Sequence, residues 1–188
     1  MYEAADLRKG LKIEMDGDPY IVTEFDFCKP GKGQALYRCK VKNMISGGTV
    51  DRTFRSVDKI GRPDLAEKEL IYMYEEADFY VFQDQETFED VRIPADVIGK
   101  NKYFLDDNME CNVLFFRDRP IEITLPYFVE KKIAETEPGA RGDTATNVTK
   151  PAKIENGYEI AVPLFVNEGD VIRIDTRTGE YADRVSKA

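Results

Sequence analysis

Histidine and tryptophan are both missing from the 188 residues, and only three cysteines are present. The missing histidine excludes most. It removes the commonest general base and metal ligand, and with it serine triads, cysteine–histidine pairs and histidine-built metal sites. Chemistry based on carboxylates or lysine stays open, so the absence is a bias against an enzyme and not a proof. Acidic pairs such as Asp106-Asp107 and Glu75-Glu76 exist, but adjacent residues of a strand point to opposite faces. Cys28, Cys39 and Cys111 are odd in number and lack CxxC spacing. They point to neither a disulfide framework nor a zinc site, and read as small hydrophobes. No apolar run approaches the ~20 residues that span a bilayer. Met1 to Leu11 lacks the basic start and apolar stretch of a secretory signal. A cytoplasmic protein with no membrane partner is expected.

What is present is charge, unevenly placed. The net charge of −9 argues against a nucleic-acid partner when taken alone. Residues 1–64 carry 12 Lys/Arg against 10 Asp/Glu, residues 65–128 carry 6 against 15, and residues 129–188 carry 9 against 11. From Cys28 to Arg62 the skew is sharper, with nine bases and two acids. A solvated face is the plain reading of such a run; a phosphate-contacting patch is the other.

Strand signals dominate the chain. Lys12 to Met15, a turn at Asp16-Gly17-Asp18-Pro19, and Tyr20 to Phe27 read as a hairpin. Gln34 to Lys42 alternates, with Ala35, Tyr37, Cys39 and Val41 on one face and Leu36, Arg38, Lys40 and Lys42 on the other. Thr49 to Arg55 alternates again, which places Arg52 near the basic face. Leu70 to Tyr74, Phe79 to Phe82, Cys111 to Phe116 and Ile121 to Thr124 follow as short strands, with a short helix at Ala95 to Ile98. Asn156-Gly157 marks a hairpin in the last third. Short strands with frequent turns and no long amphipathic helix indicate an all-β chain of three small β-barrels. Val113 to Pro126 and Val162 to Thr176 share a loose pattern, consistent with two related barrels.

One segment stands apart: Lys29-Pro30-Gly31-Lys32-Gly33, set between two strands. Proline resists strand continuation, and glycines on both sides of Lys32 permit positive φ. Lys32 is therefore expected at an exposed hairpin apex with nothing to pair with. An ordinary soluble turn is the simplest reading. A phosphate-cradling loop is disfavoured, because the GxxxxGK[ST] spacing is absent.

Tyr20 to Phe27, Lys29 through Ala35, and Thr53-Phe54-Arg55-Ser56 together resemble the first domain of the bacterial translation elongation factor P family. Gly142-Asp143-Thr144-Ala145, Lys150-Pro151-Ala152, Val162 to Val166, Gly169-Asp170 and Asp175 to Tyr181 resemble its third domain, and Thr87-Phe88-Glu89 and Pro126 to Val129 parts of its second. The resemblance runs in order over essentially the whole chain. It implies an SH3-like (KOW-type) barrel over residues 1–64, an acidic OB-fold barrel over 65–128 and a second OB-fold barrel over 129–188, in an elongated L-shaped arrangement reminiscent of tRNA. It implies a non-enzymatic monomer that binds the 70S ribosome between the P and E sites, contacts P-site peptidyl-tRNA and rRNA, and relieves stalling at consecutive prolines. No cofactor is implied. Lys32 would be extended after translation, by a β-lysyl group from a synthetase-like modifying enzyme, with hydroxylation among the family's further chemistry. Members rhamnosylated at arginine are disfavoured by Lys32.

The tRNA- and ribosome-binding residues expected in the first domain are the tip, with Gly31, Lys32 and Gly33, and, read from the basic run, Lys29, Lys40, Lys42, Arg52 and Arg55 as phosphate contacts. In the third they are Gly142, Asp143 and Thr144, facing the small subunit and the exit-site codon, and Tyr181 and Arg184 near the anticodon stem. Read from the residues alone, Gly142 is a turn, Asp143 caps one, and Tyr181 is a core tyrosine. An elongation-factor-P-like paralogue and a generic OB-type RNA-binding protein remain as alternatives. The intact Lys-Pro-Gly-Lys-Gly tip weighs against the first, and the acidic middle third against the second.

Overall fold

Period-two alternation becomes strand wherever turn residues bracket it. The computed structural model describes residues 1–139 and 148–188. In the first sixty residues the strands are β1 (Tyr2–Glu3), β2 (Lys12–Met15), β3 (Asp18–Cys28), β4 (Leu36–Asn43), β5 (Thr49–Arg55) and β6 (Lys59–Ile60). β2, β3, β4 and β5 form an antiparallel sheet in chain order, and β1 pairs with β6. The expected four-residue turn after Met15 contracts to two residues. Asp16 and Gly17 both take positive φ, which suits a two-residue hairpin, so Asp18 and Pro19 pair with Met15 and Glu14. Ala4, Leu7, Leu11, Ile13, Val22, Val41 and Ile60 are buried together beneath this sheet.

The next five strands are β7 (Leu65–Glu76), β8 (Phe79–Asp84), β9 (Asp90–Pro94), β10 (Glu110–Phe116) and β11 (Arg119–Thr124), with a one-turn helix, Ala95–Ile98, after β9. The last five are β12 (Phe128–Thr136), β13 (Thr149–Ile154), β14 (Glu159–Pro163), β15 (Val171–Asp175) and β16 (Glu180–Ser186). The two sheets run β11-β10-β7-β8-β9 and β14-β13-β12-β15-β16. Read from opposite ends these are one order: the first strand is central, flanked by the second and the fourth. Each central strand also carries a register shift against its successor, between Tyr72 and Tyr74 and between Ile133 and Glu135. Such a bulge bends a strand and raises its twist, as a small barrel needs. Leu70, Val81, Phe82, Ile93 and Ile98 fill one core; Ile133, Ile154, Val162, Val166, Ile172 and Ile174 fill the other.

Contacts divide the chain into two compact units, Met1–Lys68 with Val113–Ile123, and Glu69–Asn112 with Thr124–Ala188. In the first, Arg117 pairs with Glu14 and its backbone N–H donates to Asp64. In the second, the Tyr158 ring lies 5.1 Å from Phe104 and 5.2 Å from Tyr103, and its hydroxyl donates to the Gly179 carbonyl at 2.9 Å.

Candidate functional site

β3 and β4 pair up to Cys28 and Leu36, leaving residues 29–35 as the loop between them. β2 pairs with β3 only as far as Ile21, so the β3–β4 hairpin runs on past its neighbour and carries the loop outward. Lys29 to Gln34 are exposed. A side chain built at Gly31 would touch nothing within 4 Å, and one at Gly33 only the Pro30 ring at 3.9 Å. Gly33 has φ +135°, whereas Gly31 is not left-handed. Only one of the two glycines is thus required by the backbone; the other keeps bulk away from Lys32.

Strand register sorts the basic residues. Lys40 and Lys42 share the outer face of β4 with Arg38; Arg55 lies on the same face of β5, opposite Leu36. Arg52 does not join them. It stands opposite Cys39, on the core side of the sheet, and pairs with Asp16 at 3.5 Å. The alternation of β5 alone left its phase against β4 open, and register decided it. Glu24, Asp26 and Asp51 interleave with the outer bases, and Lys40 pairs with Glu24 at 3.5 Å. Among the described residues no carboxylate lies within ion-pair reach of Lys29, Lys32, Lys42 or Arg55.

In the last sheet Tyr181 and Arg184 lie opposite Ile174 and Ile172. Tyr181 is half-buried, and burial, with Asp183 nearby, pushes its hydroxyl pKa upward. Arg184 donates to the Phe165 carbonyl at 3.2 Å, reaches Asp170 at 3.5 Å and stacks 4.7 Å over the Phe165 ring. It is engaged within its own barrel. Gly142, Asp143 and Thr144 lie outside the described residues. Among the described residues no cluster of three metal-ligating side chains occurs, and no helix is long and apolar enough to cross a membrane.

Three family models match successive stretches: the elongation factor P KOW-like domain over residues 3–60, the elongation factor P OB domain over 65–123, and the elongation factor P C-terminal model over 122–184. The chain belongs to the elongation factor P family. The elongation factor P of Syntrophus aciditrophicus is 52% identical over 98% of this chain and 99% of its own. That of Desulfotalea psychrophila is 49% identical over the full length of both. Among solved structures, a eukaryotic translation initiation factor 5A from Methanococcus jannaschii superposes with a TM-score of 0.58 at 19% identity, covering 66% of this chain and 91% of that one. That likeness concerns the fold. As a member of the elongation factor P family the chain is a translation elongation factor and not an enzyme.

The tip hairpin has a second face, which the charge pattern did not reveal. Phe25, Cys39 and Arg52 form one cross-strand row on the core side, and Phe27, Tyr37 and Phe54 the next row outward. Phe25 and Phe27 remain 36% and 49% exposed. The signal was available in the period-two spacing of Phe25, Phe27 and Tyr37, which the basic alternation of Arg38, Lys40 and Lys42 obscured.

Proposed function

We propose that this elongation factor acts on the ribosome, between the P and E sites, and holds peptidyl-tRNA in a reactive pose when consecutive prolines stall it. Proline is a poor donor and acceptor because its ring restricts the geometry of attack. A factor that orients the peptidyl end needs no acid–base chemistry, and orientation can supply several kcal/mol, up to ~7–11 in the best intramolecular cases. The observation that carries this reading is Lys32, an exposed lysine without an ion-pair partner among the described residues, on a loop borne by an overhanging hairpin.

In this reading the chain works as a cytoplasmic monomer of three modules, 1–64, 65–128 and 129–188. Lys32, lengthened by a β-lysyl group from a synthetase-like enzyme, offers charge and donors to the RNA backbone. Lys29, Lys42 and Arg55, without an ion pair among the described residues, contribute phosphate contacts that position the module without reading bases. Lys40 and Arg52 contribute once released from Glu24 and Asp16. Gly142, Asp143 and Thr144 face the small subunit, and Tyr181 and Arg184 shape the surface toward the anticodon stem.

Replacing Lys32 by alanine leaves the thermal melt unchanged, since the side chain is exposed and has no ion pair among the described residues. It abolishes relief of stalling on a polyproline message in reconstituted translation. Normal relief by the alanine variant would overturn the reading. Intact-mass measurement of the native protein reads the group attached to Lys32.

A further inference from the structure

The outer part of the β3–β4–β5 sheet has a core side with little core to cover. Val22, Val41, Ile13 and Ile60 close the barrel beneath its inner part. Beyond them the same face continues as Phe25, Phe27, Tyr37 and Phe54. Tyr37 and Phe54 lean on the core. The Phe27 ring lies tilted against Tyr37 at 5.0 Å and the Phe25 ring at 6.3 Å, both leaving much of their surface bare. An aromatic row across adjacent strands presents its rings to whatever lies on the sheet.

Charge selects the occupant. The tip loop at the end of this aromatic face carries Lys29 and Lys32, while Arg38, Lys40 and Lys42 lie on the opposite face with Glu24, Asp26 and Asp51. On the aromatic face itself Arg52 shares a cross-strand row with Phe25, one strand beyond Cys39, and pairs with Asp16 at 3.5 Å. Aromatic rings on a sheet flanked by cations stack unpaired bases while the cations follow the phosphates. A protein partner would have to bury these cations against acids of its own.

We infer that the Phe25–Phe27–Tyr37 face is a stacking platform for unpaired RNA bases. It gives the tip a hold on the base as well as on the backbone that Lys32 contacts. This deepens the function proposed above and rests on it for the identity of the RNA. Base and backbone are separable: Lys32 acts through charge at the apex, Phe27 through ring contact on the sheet.

The test is titration of the full isotope-labelled chain with an unstructured RNA pentamer, and with the same pentamer carrying one interior abasic site, read by amide chemical shifts. Intact RNA shifts residues of β3 and β4 around Phe25, Phe27 and Tyr37. Removing the base weakens binding about tenfold, in the range expected of base–aromatic stacking. Phe27→Ala weakens it equally, with an unchanged melting temperature, and Phe27→Tyr retains it. Equal binding of intact and abasic RNA overturns the platform, as do shifts confined to other surfaces or no shifts at millimolar RNA. Phe27→Ala and Lys32→Ala are also compared in the stalling assay. Loss of relief with Lys32→Ala alone leaves the proposed function standing and removes the platform. Stacking that persists while Lys32→Ala relieves stalling normally does the reverse.

Discussion

Asp170 is almost fully buried, 2% exposed, in the last barrel. It accepts the backbone N–H of Asn167 at 2.9 Å and of Ala188 at 2.8 Å, with Arg184 at 3.5 Å. The Asn167 N–H, then Ala188 and Arg184, hold its carboxyl below the usual range against the opposing pull of burial. A lowered folded pKa contributes stability that is complete above the unfolded value near ~4 and is lost as pH falls through the folded one. Denaturant titrations of wild type and Asp170→Asn should therefore show a gap that is full at neutral pH and closes in acid; a gap that widens on acidification would contradict this. The cysteines divide the same way, by environment. Burial pushes the Cys111 thiol up to about 12 and raises that of Cys39, while Cys28 is only half-buried at the tip hairpin. Iodoacetamide at pH 8 should add one label to the native protein, on Cys28, and three after unfolding, counted by intact mass. Rapid labelling of native Cys111 would show that its barrel opens readily.

Among the elements, the β15–β16 turn and the β13–β14 hairpin are tied by one residue. Gly179 has φ +76°, and a Cβ there would sit 2.5 Å from the Tyr158 hydroxyl. That hydroxyl donates to the Gly179 carbonyl, so the close approach and the hydrogen bond are one feature. Tyr158→Phe removes the bond and leaves a carbonyl unserved, costing about 0.5–1.5 kcal/mol. Gly179→Ala forces the ring away and strains the backbone as well, and should cost more than Tyr158→Phe in the same denaturant assay. Equal stability of Gly179→Ala and wild type would mean the turn relaxes freely. The overhanging hairpin follows another logic. Its strands outrun β2, so its outer rows lose the second layer that makes the inner rows a core. The same alternation of residues then yields buried Val22 and Val41 near the base and half-bare Phe25 and Phe27 near the tip.

Over the whole molecule, charge is segregated by module. Residues 65–128 hold the largest acidic excess, and the stretch from Cys28 to Arg62 the largest basic one. In the proposed function, the acidic excess of residues 65–128 disfavours RNA contact there and leaves the basic stretch as the surface for phosphate. Among the described residues, nine cations of residues 1–64 have no ion pair, and the proposed function uses four of them, Lys29, Lys32, Lys42 and Arg55, as phosphate contacts. If each meets one phosphate, binding to ribosomes should fall with salt at a log–log slope of roughly −3 to −4, and Lys42→Ala should flatten that slope by about one. A slope near zero would remove phosphate contact as the source of affinity.

Composition and alternation alone settled much of this. The absence of histidine, the short strands, the Asn156-Gly157 hairpin and the loop at Lys32 are properties of neighbouring residues, and neighbouring residues are what a sequence displays. The matching strand orders of the two five-stranded sheets left no reliable trace: the loose pattern over Val113 to Pro126 and Val162 to Thr176 sets β10 and β11 against β14 and β15, whereas the orders equate β10 and β11 with β15 and β16, because pairing of distant strands leaves little local signal. Tertiary structure alone decided three things: that Arg52 lies opposite Cys39 and away from Lys40, that Arg184 is engaged by Phe165 and Asp170, and that Phe25 and Phe27 stay uncovered. Each depends on register or on where a second layer ends, and a strand's own alternation is blind to both.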